Sequence, residues 1–162
     1  MPRSRPAALV LLIDAIDEAY NRPSWHGTNL RGSIRGVTAA KAARRPRPGR
    51  HNIWEEVVHA AYWKYVVRRR LAGEPRGSFP LEGSNWFERA DAATLTAWRS
   101  DIALLEQTHR TLRSAIAELN PRDLDRPPVK GRTTKRALVT GVAAHDLYHA
   151  GQIQLLKRLA SS

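Results

Sequence analysis

Residues 138–159 read LVTGVAAHDLYHAGQIQLLKRL, and this stretch decides the fold. Leu138, Val142, His145, His149, Gln152, Leu156 and Leu159 recur at alternating intervals of four and three. That spacing draws one stripe along an α-helix, the stripe a bundle helix turns toward its partners. Two histidines one turn apart therefore point inward, with Cβ atoms roughly 5–6 Å apart. Such a pair can grip one metal ion through imidazole nitrogens at about 2.0–2.1 Å. The alternative is a pair of core histidines hydrogen-bonded to buried carbonyls, or to Asp146 or Tyr148. Burying two imidazoles without partners is costly, so the fold must supply one or the other.

The run His145-Asp146-Leu147-Tyr148-His149 differs from the zinc-protease H-E-x-x-H by aspartate in place of glutamate. The change shortens the would-be general base by a methylene. Protease-type sites also take a third ligand downstream, and residues 150–162 contain no His, Asp or Glu. A third protein ligand must come from upstream, and the protease reading is rejected.

Working outward, three more segments carry helical periodicity. The first runs from Pro6 to Tyr20 with Leu9, Leu12, Ile13 and Ile16 on one face, and Asn21 to Ser24 break it. A short helical piece is expected around Leu30, Ile34 and Val37, ahead of the Pro46–Pro48 breaker. The second long helix spans Asn52 to about Gly73, a C-terminal stop. Residues 73–90 form a Gly- and Pro-rich linker, with Phe79, Trp86 and Phe87 able to pack it down. The third long helix is expected from Asp91 to Leu119, closed by Asn120-Pro121, and the fourth from Thr133 or Thr134 to Ala160.

With no strand and no repeat, the sequence predicts an all-α chain forming a single domain over residues 1–162. At about 3.3 Å per extended residue the linker can cross the length of a bundle. Helices two and three can then run parallel. The expected architecture is a four-helix bundle in up-down-down-up order with a long crossover between helices two and three.

Composition narrows the functions. A chain of 162 residues with 42% hydrophobic and 26% charged residues can bury a core without staples. There is no cysteine, which excludes disulfides, thiolate metal sites and a protein-borne thiol nucleophile. Arg3 and Arg5 precede the apolar run Ala7–Ile13, but Asp14, Asp17 and Glu18 end it, so an amphipathic helix explains it better than a signal peptide. No stretch offers the roughly 18 apolar residues of a membrane span. A soluble, cytoplasmic protein is expected. The net charge of +12, with seven cations and no acid between Arg31 and Arg50, raises anionic partners. No nucleic-acid module accompanies it, and nucleic acid ranks last among them.

Four histidines lie upstream. His26 follows a turn and His51 stands at the entrance to the second long helix. His59 lies within that helix, one turn after Glu55. His109 falls on the third-helix stripe Leu95, Trp98, Ile102, Leu105, His109, Leu112, Ile116, Leu119, so periodicity favours His109 over His59 as an inward residue.

Residues 51–63, HNIWEEVVHAAYW, followed by RRRLAG at 68–73, resemble the second helix of the DinB-like family (DinB/YfiT-like metalloenzymes). Residues 144–153, AHDLYHAGQI, closely resemble its last helix, and Trp25-His26-Gly27 fits the early part of one branch. The resemblance spans nearly the whole chain, and the last-helix motif is its most specific part. It implies an up-down-down-up four-helix bundle. It also implies one divalent ion, zinc or nickel first, on three histidines, here His59, His145 and His149. His109 then becomes a neighbour or a core residue.

Three histidines leave positions open for water or substrate, as in catalytic sites. Glu55 is the candidate catalytic acid–base group, or else orients a histidine or sits solvated at the surface. Gln152 and Arg132 are candidate substrate-binding residues, with Lys130 and Arg50 as further carboxylate holders. Gly151 is read as allowing close helix packing. The resemblance further implies a thiol-dependent S-transferase acting on a small-molecule thiol and an electrophile. The competing readings are a metal-stabilised, stress-related bundle without turnover and, last, a basic nucleic-acid-binding module. Surplus aromatic side chains, among them Trp86 and Trp98, suggest a homodimer.

Overall fold

A computed structural model describes residues 6–89, 93–128 and 131–160. They fold into α1 (Ala7–Tyr20), α2 (Leu30–Ser33), α3 (Ala39–Ala43), α4 (Ile53–Ala72), α5 (Leu95–Ala117) and α6 (Lys135–Leu159), with one 3-10 turn at Pro121–Asp123. The chain is all-helical, with no strand among the described residues. No described helix is long and apolar enough to cross a membrane.

The four long helices stand where hydrophobic periodicity put them. Three of them, α4, α5 and α6, start at side chains that satisfy the free backbone N–H groups of a first turn, whereas α1 starts after Pro6 without such a cap. Asn52 and Glu55 form a reciprocal capping box on α4, and Thr94 and Thr134 accept from Ala97 and Ala137 to start α5 and α6. Gly73 ends α4 in the left-handed region at φ 71°, where a Cβ would be strained. The Asp91 start expected for the third long helix lies outside the described residues. That helix stops at Ala117, short of Leu119, and Asn120 instead caps the 3-10 turn. The short piece expected around Leu30, Ile34 and Val37 is α2, which ends at Ser33, and a second short helix that the sequence reading does not include, α3, follows it; each is begun by a side-chain cap, from Asn29 and Thr38.

Two apolar clusters divide the interior. One joins the first half of α4 (Ile53, Trp54, Val57, Val58) to Trp98 and Leu105 of α5, Ala150 and Ile153 of α6, and Tyr20 of α1. The other joins Val67 near the end of α4 to Leu112 and Ile116 of α5, Leu138 and Val142 of α6, and Leu9, Leu12 and Ile13 of α1. Fully buried Leu and Ile side chains each contribute roughly 1.5–3 kcal/mol. Between α4 and α5, Trp54 Nε1 donates to buried Asp101 at 2.7 Å. The segment 73–89 after α4 is held down by aromatic packing, with Phe79 and Phe87 against Tyr62 of α4 at ring separations of 5.2 and 5.5 Å.

Trp98 is a core residue whose Nε1 donates to the Val37 carbonyl, and Trp86 is half-buried beside the histidines described next.

Candidate metal centre

Three imidazoles meet between α4 and α6. His59 projects from the middle of α4, and His145 and His149 from successive turns of α6. His145 Nε2 lies 3.1 Å from His59 Nε2 and 3.0 Å from His149 Nε2. Their ligand atoms all fall within 4.8 Å of one another. His59 and His149 are buried and His145 half-buried.

The outer nitrogens fix which face of each ring looks inward. His59 Nδ1 donates to the Asn85 carbonyl at 2.7 Å, and His149 Nδ1 donates to the Glu56 carboxylate. With those protons on Nδ1, the lone pairs of both rings sit on Nε2 and point into the cluster. Burial, with the charges of neighbouring histidines, pulls the His59 pKa down to about 4 and the His145 pKa to about 3. Near neutral pH these two rings are uncharged and ready to donate electron pairs. With the His145 proton also on Nδ1, the three lone pairs face one another at about 3 Å and repel unless a cation lies between them; with it on Nε2, that N–H can donate to only one of its two neighbours. Two ligands about 2.1 Å from one ion and about 90° apart stand roughly 3.0 Å from each other. The donor set therefore fits one divalent ion. His145 Nδ1 is buried with no hydrogen-bond partner among the described residues.

The crossover closes one side of this centre. Trp86 stacks between His59 (ring centroids 3.8 Å apart) and His51 (3.6 Å). Asn85 takes the left-handed conformation at φ 69°, which asparagine tolerates, and its side-chain oxygen accepts from Trp63 Nε1. A cavity of about 670 Å³ opens on the cluster, with His149, Glu56, Trp86 and Gln152 among its lining.

A model of the DinB superfamily matches residues 22–153, which include every residue of the centre. The chain belongs to the DinB superfamily. No curated protein and no solved structure shows significant similarity to it. As a DinB-superfamily chain it brings together the three expected histidines, and Gln152 lies in the same cavity.

Other expectations fall elsewhere. Glu55 is buried at the entrance to α4, where Arg45, His51 Nδ1 and the Asn52 N–H take its oxygens. Burial pushes its carboxyl up, but the contacts with Arg45 and His51 outweigh this and hold it below the usual carboxylate range. It orients a histidine, but His51 rather than a member of the cluster. Arg132 lines a separate cavity of about 610 Å³ with Arg69, Arg70 and Arg76, and none of the three histidines reaches it. Lys130 lies outside the described residues. Gly151 is exposed, and a Cβ there would meet nothing within 4 Å, so close helix packing is not its role. His26 is exposed. His109 is buried, as its stripe predicts, but stacks on Tyr20 and contacts Lys64 and Asp17, apart from the cluster.

Sequence reasoning missed Glu56, Asn85 and Trp86. Glu56 carried no signal distinguishing it from Glu55. Asn85 and Trp86 lie in a linker whose path no periodicity describes.

Proposed function

We propose that this DinB-superfamily protein is a metal-dependent enzyme of the thiol S-transferase type, joining a small-molecule thiol to an electrophile. The observation that carries the reading is the convergence of three Nε2 atoms, two of them on rings whose Nδ1 is held outside the cluster by Asn85 and Glu56. His59, His145 and His149 would hold the ion, with zinc and nickel as the imidazole-compatible candidates. When bound, a divalent ion supplies positive charge that lowers the pKa of a neighbouring thiol or water. Glu56 keeps the His149 proton on Nδ1 and raises the basicity of Nε2. Gln152 offers an amide to orient the cosubstrate in the cavity. Trp86 shields the His59 face from water. The S–H bond breaks as sulfur bonds to the electrophilic carbon, the carbon's bond to its leaving group breaks, and the proton departs with that group, so thiol and electrophile give a thioether and the protonated leaving group; the absence of cysteine leaves the thiol to come from outside.

The same reading includes an up-down-down-up bundle of α1, α4, α5 and α6 as one domain. The division of the core supports it: the first halves of α4 and α5 share one cluster with the ends of α1 and α6. A cytoplasmic site of action, where small thiols stay reduced, belongs to the reading. So does a homodimer, with exposed Val10 and Leu11 as apolar surface to cover.

The test is metal analysis of the purified protein, followed by thiol-conjugation assays of metal-loaded protein across an electrophile panel. Stoichiometric metal with thiol-dependent turnover lost in His59→Ala is expected. Stoichiometric metal with no conjugation leaves a metal-stabilised bundle as the function.

A further inference from the structure

The cavity that opens on His149 has two chemically distinct walls. One comes from α3 and the loop after it, where Lys41, Arg44, Arg45, Arg47 and Arg50 face the space. The other comes from the outer face of α6, where Tyr148, Leu155, Leu156 and Leu159 line it, three of them more than half exposed. Glu56 is the one acid among the lining residues, and its carboxylate is taken by His149.

Not all five cations are available. Arg44 caps α6 through the Ala160 carbonyl, and Arg45 is bound to Glu55 and the Arg50 carbonyl. These contacts pin the loop against both long helices and fix the wall. Lys41, Arg47 and Arg50 have no side-chain partner among the described residues. Three cations without a side-chain partner among the described residues, in a concave space also lined by an apolar stripe, form a poor environment for a neutral or cationic solute. A solvated basic face would need no apolar wall opposite, and a nucleic-acid groove would run along a surface rather than end on buried histidines.

We infer that the cavity binds a small organic anion bearing an apolar arm, its carboxylate or phosphate on Arg47, Arg50 and Lys41 and its arm along Leu155 and Leu159. This rests on the enzymatic reading only in assigning the ligand as substrate, because the walls exist whether or not the histidines hold a metal. The volume of about 670 Å³ is within the usual range for a small-molecule site. The position of the cations across from the apolar stripe would set the ligand lengthwise, presenting one portion of it to His149.

Matched eight-carbon probes test the inference by calorimetry on both metal-free and metal-loaded full-length protein: octanoate, octyl phosphate, 1-octanol and octylammonium, with acetate and inorganic phosphate as armless controls. One or both octyl anions are expected to bind at least about tenfold more tightly than octanol, octylammonium or the armless anions. Their relative affinities separate a carboxylate from a phosphate site. In Arg47→Ala/Arg50→Ala the preference for anions should disappear while metal uptake is unchanged. In Leu155→Ser/Leu159→Ser the gain from the octyl arm should disappear instead.

Equal binding of neutral and anionic probes overturns the inference, as does a preference that survives the double arginine variant. Inorganic phosphate binding as well as octyl phosphate removes the apolar arm, and salt-steep binding of duplex DNA without selectivity among the octyl probes replaces the pocket with a nucleic-acid surface. Anion preference with no thiol conjugation would sink the transferase reading alone. Metal uptake and conjugation with no anion preference would sink this inference alone.

Discussion

Lys64 of α4 and Asp146 of α6 form an ion pair in which neither side chain is exposed to solvent. Asp146 directly follows His145 in sequence, and the pair ties together the two helices that carry the three histidines. Burial pushes the Asp146 carboxyl up, while the Lys64 ammonium opposes that rise. Lys64 also lies over the Tyr20 ring and 3.5 Å from His109 Nδ1, and His109 Nε2 reaches Asp17 at 3.3 Å. Arg113 closes the chain of contacts on Asp17.

Breaking one half of this pair leaves a buried charge without compensation. Lys64→Met is expected to destabilise the protein by about 3–5 kcal/mol. Replacing both partners, as Lys64→Met with Asp146→Leu, should recover most of that loss. Urea unfolding of the two variants checks it, and a double variant as unstable as the single one would show that the pair is not the cause.

His109 gives a pH dependence with a defined sign. Burial, then the charges of Lys64 and Arg113, pulls its pKa from 6.5 to about 3, despite the nearby Asp17 carboxylate. The geometry agrees with a neutral ring: Nε2–H donates to Asp17, and Nδ1 accepts from the Lys64 ammonium. A protonated ring would set a second N–H against that ammonium. The unfolded chain takes up this proton below about pH 6.5 and the folded protein does not. The His109 contribution is therefore intact above pH 6.5 and lost as pH falls toward 3, by up to about 1.4 kcal/mol per pH unit. His109→Gln should reduce the proton uptake on unfolding near pH 5 by about one, measured from the slope of stability against pH.

The residues that made the fold legible repeat at a fixed interval. Leu9, Leu12, Ile13 and Ile16 are all buried, as are Trp98, Leu105, His109, Leu112 and Ile116. On α6 the buried face is wider than the stripe: Leu138, Val142 and His149 are buried on it, but so are Asp146, Ala150 and Ile153 one position along, whereas Leu159 is more than half exposed. An aspartate does not register as a core position until its lysine partner is known, and Lys64 is 82 residues away. Periodicity also set His109 above His59, and both are buried. Choosing between them depends on which neighbours each meets, and helical spacing carries no information about that. The motif resemblance did carry it. The crossover residues Asn85 and Trp86 were illegible because their placement depends on tertiary contacts with His59 and Trp63.

The neighbouring acids Glu55 and Glu56 should separate cleanly. Glu56→Gln removes the carboxylate that accepts from His149 Nδ1 and is expected to weaken metal binding about 10–100-fold. Glu55→Ala removes half of a capping box together with the carboxylate that holds Arg45 and His51, and is expected to cost about 1–3 kcal/mol of stability. Competition with a chromophoric chelator reads the first effect, and thermal melting reads the second. Weakening of metal binding by Glu55→Ala equal to that by Glu56→Gln would return Glu55 to the centre.

Metal should stabilise the protein only through the three histidines. Free ion at about 100 times its dissociation constant stabilises the folded state by about 2.7 kcal/mol, provided that the unfolded chain binds none. His59→Ala leaves His145 and His149 as a bidentate pair and should lose most of that gain, whereas His109→Gln should keep it, since its ring contacts none of the three. Chelator should lower the melting temperature of wild type and His109→Gln alike and leave His59→Ala nearly unmoved. Because Trp86 stacks on His59, an ion drawing electron density from that ring should also change the tryptophan emission. A Trp86→Phe variant that takes up metal without the emission change would assign that signal to the stacked pair, and metal-independent melting of the wild type would remove the centre altogether.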